Sequence, residues 1–308
     1  MNSNEARALF YQHANAMAYI DVQLPDGTRS IGSAFHVGEG VFITARHVVD
    51  GNKIIEIKVT EPVPISTSEF LRTVLGNDMG AMGFDINDDT FVRQYEESSC
   101  SATGQVPMFK HWLDPLPISK GPYYLDNPAF DVAVFQVKDI NPSTGVIKLG
   151  VHWDDWVVTG FWQLSDAIVL GYPPIPMSNS PVLLAARAEV HTVIIPRHAP
   201  SVHFILSAVP RGGFSGGVAL SESGEALGVV TSELTHADVP VASGFMAVLS
   251  IEPIVACLRS HGLWPAIQEQ HHSERVNLVR DRRQSAGLVG TRHGIISSTL
   301  ANSPDKPE

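Results

Sequence analysis

Short apolar runs, each closed by a turn signal, recur along most of the chain and restrict its fold more than any other feature. The candidate strands are Ala18–Leu24, Ser30–Val37, Val41–Ala45, Lys53–Val59, Asp131–Val137, Ala167–Leu170, Leu183–Ile195, His203–Val209, Gly217–Leu220, Ala226–Thr231 and Gly244–Val248. Pro25-Asp26-Gly27, Gly38-Glu39-Gly40, Asp50-Gly51-Asn52 and Ser223-Gly224 supply turns between them. Many short strands at this spacing predict an all-β sandwich or barrel, not βαβ units. Only two helices are expected. Glu5–Ala18 reads as an amphipathic N-terminal helix. Ile251–Ser260 reads as a short C-terminal one, with Pro253 in its first turn and His261-Gly262 at its end.

The organisation follows from where this pattern breaks. The 308 residues suit one large or two fused small domains. We divide them into an N-terminal helical extension (1–17), a first β unit (18–140), a second β unit with the terminal helix (141–262) and a polar tail (263–308). Residues 61–125 lack clean strand periodicity and carry Asp78, Asp85, Asp88, Asp89, Glu96 and Glu97, so an exposed insertion is expected there.

Composition excludes several function classes. Apolar residues make up 44% of the chain and charged residues 17%, which rules out disorder of the whole chain. The net charge of −11 excludes a nucleic-acid binder, because phosphate recognition needs basic surface. No polybasic run and no uninterrupted apolar stretch of about 18 residues is present, so no membrane association is expected. The first residues lack a secretory apolar core, and a cytoplasmic location is expected. Cys100 and Cys257 are too few for a disulfide framework.

Three local patterns carry chemistry. Thr44-Ala45-Arg46-His47-Val48-Val49 follows the strand ending at Ile43. Phe130-Asp131-Val132-Ala133-Val134 places an Asp at the opening of an apolar strand. Gly212-Gly213-Phe214-Ser215-Gly216-Gly217 sets a Ser in a glycine-rich turn. A Ser hydroxyl is a weak nucleophile until a base stands within hydrogen-bond reach. A His supplies that base, and a buried Asp fixes its tautomer and stabilises the imidazolium. Glycines around the Ser let backbone N–H groups converge on a developing oxyanion. Taken singly, His47 is one of thirteen histidines, Asp131 a strand-opening residue and Ser215 a turn residue.

Taken together, the motifs resemble the histidine, aspartate and serine motifs of the chymotrypsin/trypsin-like serine protease superfamily. The order His, Asp, Ser is that of the chymotrypsin-like fold. Gly32-Ser33-Ala34-Phe35, Leu170-Gly171-Tyr172-Pro173, Gly228-Val229-Val230 and Phe245-Met246-Ala247-Val248 also match, and the set is most similar to bacterial trypsin-like and HtrA-like peptidases without a PDZ domain. The resemblance implies two packed six-stranded antiparallel β-barrels with the cleft between them. It implies His47 as general base, Asp131 as its orienter, Ser215 as nucleophile, and the N–H groups of Gly213 and Ser215 as oxyanion hole. Val209, Val229, Val230 and Thr231 would line the substrate pocket. Phe214 stands where digestive trypsins carry the Asp that pairs with a freed N-terminus, so that route of activation is not expected.

The expected function is therefore a serine endopeptidase acting through an acyl-enzyme on protein or peptide substrates, with no cofactor and no metal, and open to control by a regulatory protein partner. The alternative is a catalytically silent module of the same fold that binds peptides or a partner protein. His271-His272 has no third ligand at a suitable spacing. Asp85, Asn87, Asp89 and Glu96 echo a calcium loop, but Thr90 stands where glycine is required. No Asp or Glu occurs between Phe204 and Leu220, so a pocket for small or medium apolar side chains is expected, not one for Lys or Arg.

Overall fold

In a computed structural model, the residues described are 1–66, 105–151, 162–176, 178, 180–195, 201–209, 212–231, 235–236, 239–240 and 245–274. The chain opens with helix α1 (Ser3–His13), capped by the Asn2 side chain and closed by a 3-10 turn at Ala14–Ala16. Strands β1 (Met17–Gln23), β2 (Arg29–Gly38) and β3 (Val41–Thr44) lead to the four-residue helix α2 (Arg46–Val49). Then come β4 (Lys53–Ser66), β5 (Gln105–Trp112), β6 (Ile118–Tyr124) and β7 (Ala133–Val137). These form a seven-stranded antiparallel sheet in the order β5-β4-β1-β2-β3-β7-β6.

The second unit contains β8 (Asp166–Gly171), β9 (Leu184–Ile194), β10 (His203–Leu206), β11 (Val218–Ser221) and β12 (Ala226–Val230). The hairpin β13 (Thr235–His236) and β14 (Val239–Pro240) precedes β15 (Met246–Ser250). Six of these strands close a barrel in the order β10-β15-β12-β11-β8-β9, with β9 returning to β10. Helices α3 (Ile251–Ser260) and α4 (residues 266–274) end the described chain. The architecture is thus mostly β, with one closed six-stranded barrel and one half-barrel. The half-barrel stays open because, among the described residues, its edge strands β5 and β6 do not pair with each other.

Strand alternation builds three cores. In β1, Ala18, Ile20 and Val22 point into the half-barrel core, where Phe42 and Phe135 stack with ring centroids 5.6 Å apart. Their neighbours Met17 and Tyr19 face the other way, into a core shared by both units. In the barrel, Ala167 and Val169 point inward while Ile168 and Leu170 join the shared core. Ile254 and Leu258 of α3 complete the shared core. With both faces buried, these strands read as continuous apolar runs in the sequence.

Two sequence expectations need revision. The interval 61–125 is not all insertion: β4 continues to Ser66 and pairs with β5, and β6 pairs with β7. Residues 67–104, including the acidic stretch and Cys100, lie outside the described residues. Nor does polar tail begin at residue 263. Leu263 is buried, and in α4 Gln268, His271 and His272 are buried too. Gln268 Nε2 donates to the carbonyls of Val37 and Ile147 at 2.8 and 2.9 Å, and its Oε1 accepts from Leu149 N at 3.0 Å. A polar side chain is buried here because the backbone of two separate segments satisfies it.

The terminal helices cross between units. Helix α1 precedes the half-barrel but lies on the barrel: Arg187 donates to the Met1 carbonyl, and Ala6 and Phe10 border a cleft with Ile168 and Leu183. Helix α4 follows the barrel but lies on β2 of the half-barrel, where Pro265 and Ile267 pack against Gly38.

Candidate active site

His47 sits in α2, the single helical turn that follows β3. Its backbone N–H donates to Asp131 Oδ1 at 3.0 Å, and its ring Nδ1 lies 2.8 Å from Asp131 Oδ2. Asp131 thereby fixes both the main chain and the ring of His47. Asp131 comes from the segment entering β7, which pairs with β3, so the two strands carry the two residues to one end of the sheet. Burial alone would push the Asp131 carboxyl up. The hydrogen bonds and charge of His47, with the N–H groups of His47 and Arg46, outweigh it and hold the carboxyl below the usual range.

The helical turn is braced from both sides. Arg46 bonds Asp50 at 2.7 Å and the Leu125 carbonyl at 3.2 Å, and its guanidinium lies 4.7 Å from the Tyr124 ring centroid. Asn52 donates to the carbonyls of His47 and Val48. The His47 side chain remains 42% exposed.

Ser215 lies on the loop before β11. Three successive carbonyls of this loop are pinned: Gly213 O by Ser33 Oγ at 2.6 Å, Phe214 O by Gly217 N at 2.8 Å, and Ser215 O by Ser33 N at 2.9 Å. Gly216 N donates to Val230 O. Among the described residues, the N–H groups of Gly213 and Ser215 have no acceptor. Gly216 presses the loop onto the turn before His47. A Cβ there would lie 2.1 Å from Ser33 O, 2.3 Å from Thr44 Oγ1 and 3.0 Å from Ala45 N. Ser215 and His47 therefore belong to two segments packed on each other. Neither Ser215 Oγ nor His47 Nε2 has a hydrogen-bond partner among the described residues.

No family model matches the chain, and no curated protein matches it by sequence. Solved structures do. An HtrA-type protease, AlgW with a tripeptide, aligns with a TM-score of 0.52 at 14% identity, covering 83% of this chain and 64% of that one. The active form of the Rv3671c protease from M. tuberculosis aligns with a TM-score of 0.51 at 15% identity, covering 84% and 86%. The fold is that of the chymotrypsin/trypsin-like serine proteases. This chain spans less than two thirds of the AlgW chains it resembles.

Within the chymotrypsin-like fold, the other residues expected at the site fall into two groups. Val209 is 59% exposed on the chain leading to the Ser215 loop. Val229 and Val230 are buried. The Val229 side chain lies in the shared core and that of Val230 inside the barrel. The Val230 main chain is engaged by Gly216 and Gly217, so Val230 braces the loop from behind. Thr231 is buried and bonded to the Ala247 carbonyl. Sequence reading gave Ser33 only as part of the matching Gly32-Ser33-Ala34-Phe35 stretch and missed it as a site residue. Asp85, Asp89 and Glu96 lie outside the described residues. Among the described residues, no three His, Cys, Asp or Glu side chains converge, and no helix is long and apolar enough to cross a membrane.

Proposed function

We propose that this chain is a serine endopeptidase. The observation that carries the reading is the His47 Nδ1–Asp131 contact, with the Ser215 loop packed on the turn before His47. Ser215 Oγ attacks the scissile carbonyl while His47 Nε2 takes its proton. The C–N bond then breaks, and the proton passes from His47 to the leaving amine. Water, deprotonated by the same nitrogen, releases the acyl group and returns Ser215 to its hydroxyl form. Asp131, held ionised, stabilises the imidazolium between these steps. The N–H groups of Gly213 and Ser215 receive the oxyanion. The Ser215–His47 bond closes when substrate orders the cleft, as catalytic hydrogen bonds are often long in free enzymes.

Exposed Val209 and the absence of an acidic residue from Phe204 to Leu220 support a preference for Ala, Val, Leu or Met before the scissile bond. The test is labelling by a fluorophosphonate probe. The full chain should react at Ser215, and Ser215→Ala should neither react nor hydrolyse peptides. A chain that binds peptides but leaves Ser215 unlabelled is the silent module instead.

A further inference from the structure

Ser33 lies in β2, within the half-barrel, yet three of its four hydrogen bonds go to segments of the barrel unit. It is fully buried. Its hydroxyl donates to the Gly213 carbonyl at 2.6 Å and accepts from Tyr172 N at 2.8 Å. Its N–H donates to the Ser215 carbonyl at 2.9 Å. Its own carbonyl accepts from Thr44 Oγ1 at 2.7 Å, three residues before His47. One residue thus ties the chain on either side of Phe214 to the strand that carries the histidine turn.

We propose that Ser33 is a positioning residue for the oxyanion loop: its hydroxyl fixes the Gly213 carbonyl and so the direction in which the neighbouring N–H groups face. This rests on the serine-protease reading above. The hydroxyl donates its one proton to Gly213 O and accepts one bond from Tyr172 N, so its donor is fully committed. With Gly213 O and Ser215 O held by the same residue, the peptide units between them have little freedom to turn. The Ser215 N–H belongs to the peptide unit between these two held ones, so it is presented at a fixed position before substrate arrives, which is what makes such a donor effective; the Gly213 N–H is one Cα away from the held Gly213 carbonyl. Ser33 does not touch the substrate; it acts through Gly213 and Ser215.

The test compares wild type with Ser33→Ala and Ser33→Thr in the full chain. Four quantities are read: kcat and KM on a peptide substrate, inhibition by a peptide aldehyde whose adduct places an oxyanion in the hole, binding of the cleaved product peptide, and melting temperature. Ser33→Ala should lower kcat by about 10- to 100-fold, somewhat less than outright loss of an oxyanion donor. KM and product-peptide affinity should be unchanged, and aldehyde affinity should fall by the same factor as kcat/KM. Ser33→Thr should restore kcat by keeping the hydroxyl, even where its extra buried methyl lowers the melting temperature.

If Ser33→Ala does not fold, Ser33→Cys is read by the same criteria, since a thiol fills the place but donates weakly. Wild-type kcat in the Ala variant overturns the proposal. So does a loss spread equally over kcat and product binding, or a Thr variant as slow as Ala. A wild-type chain that is neither labelled at Ser215 nor active overturns the protease reading, and the role of Ser33 with it. A labelled, active wild type with an indifferent Ser33 overturns this proposal alone.

Discussion

Gly216→Ala tests whether the Ser215 loop is held against the histidine turn by close packing. Gly216 has φ +83°, where an L-residue costs about 1–2 kcal/mol. Its added methyl would also meet Ser33 O at 2.1 Å and Thr44 Oγ1 at 2.3 Å. Overpacking of this kind costs about 1–3 kcal/mol more. Gly27 supplies the control: it has φ +87°, but nothing lies within 4 Å of an added Cβ. In urea denaturation, Gly27→Ala should therefore lose about 1–2 kcal/mol and Gly216→Ala about 2–5 kcal/mol. To relieve the contact, the loop must withdraw by roughly 1 Å, a displacement that can cost about 100-fold in rate. Peptide hydrolysis by Gly216→Ala should fall by about that factor, while Gly27→Ala keeps wild-type kcat/KM. A Gly216→Ala variant that matches Gly27→Ala in both stability and activity would refute the argument.

Gln268→Ala should cost about 3–5 kcal/mol by thermal or urea denaturation, because Val37 O, Ile147 O and Leu149 N each lose a buried partner. Asp131→Asn should keep the melting temperature near wild type but drop kcat by roughly 10,000-fold, since an amide cannot both accept from the backbone N–H and hold the imidazole in the required tautomer. Burial lowers His13 to about 4, and the neighbouring turn at Gly224 packs on its ring. The folded state thus refuses a proton that the unfolded state accepts. Its contribution is level above pH 6.5 and falls away as the pH drops towards 4. A melting-temperature profile for His13→Gln should be flatter over that window than wild type; parallel profiles would show that His13 is not the source.

The strands that the sequence announces most clearly are those buried on both faces. Apart from Asp166 at the start of β8 and the serines that end β11 and β15, β8, β11, β12 and β15 run without a polar residue, so their burial patterns leave little to infer. The same property hid which face each side chain takes: Val229 and Val230 look alike in sequence but enter different cores. Edge strands β5 and β6 were illegible for the opposite reason. Pro107 and Pro122 lie within them, and register shifts break the period-two pattern of β6. Residues 263–274 look like tail because composition counts Gln268 as polar, whereas its amide is buried among backbone partners distant in sequence. The His47–Asp131 contact was legible because its residue types are dictated by chemistry. Ser33 was not, because its importance comes from four partners contributed by Thr44, Tyr172, Gly213 and Ser215.

The exchange of terminal helices between the two units has a consequence for how the molecule comes apart. Each unit is roofed by a helix that the other unit's end of the chain supplies, Arg187 reaching Met1 on one side and Val37 receiving Gln268 on the other. Neither unit can melt while leaving its neighbour complete, so calorimetry should record one cooperative transition in which the calorimetric and van't Hoff enthalpies agree. Cutting the chain near residue 141 gives two fragments, each carrying the roof its counterpart lacks. Separately they should be poorly folded; mixed, they should find each other and rebuild the whole.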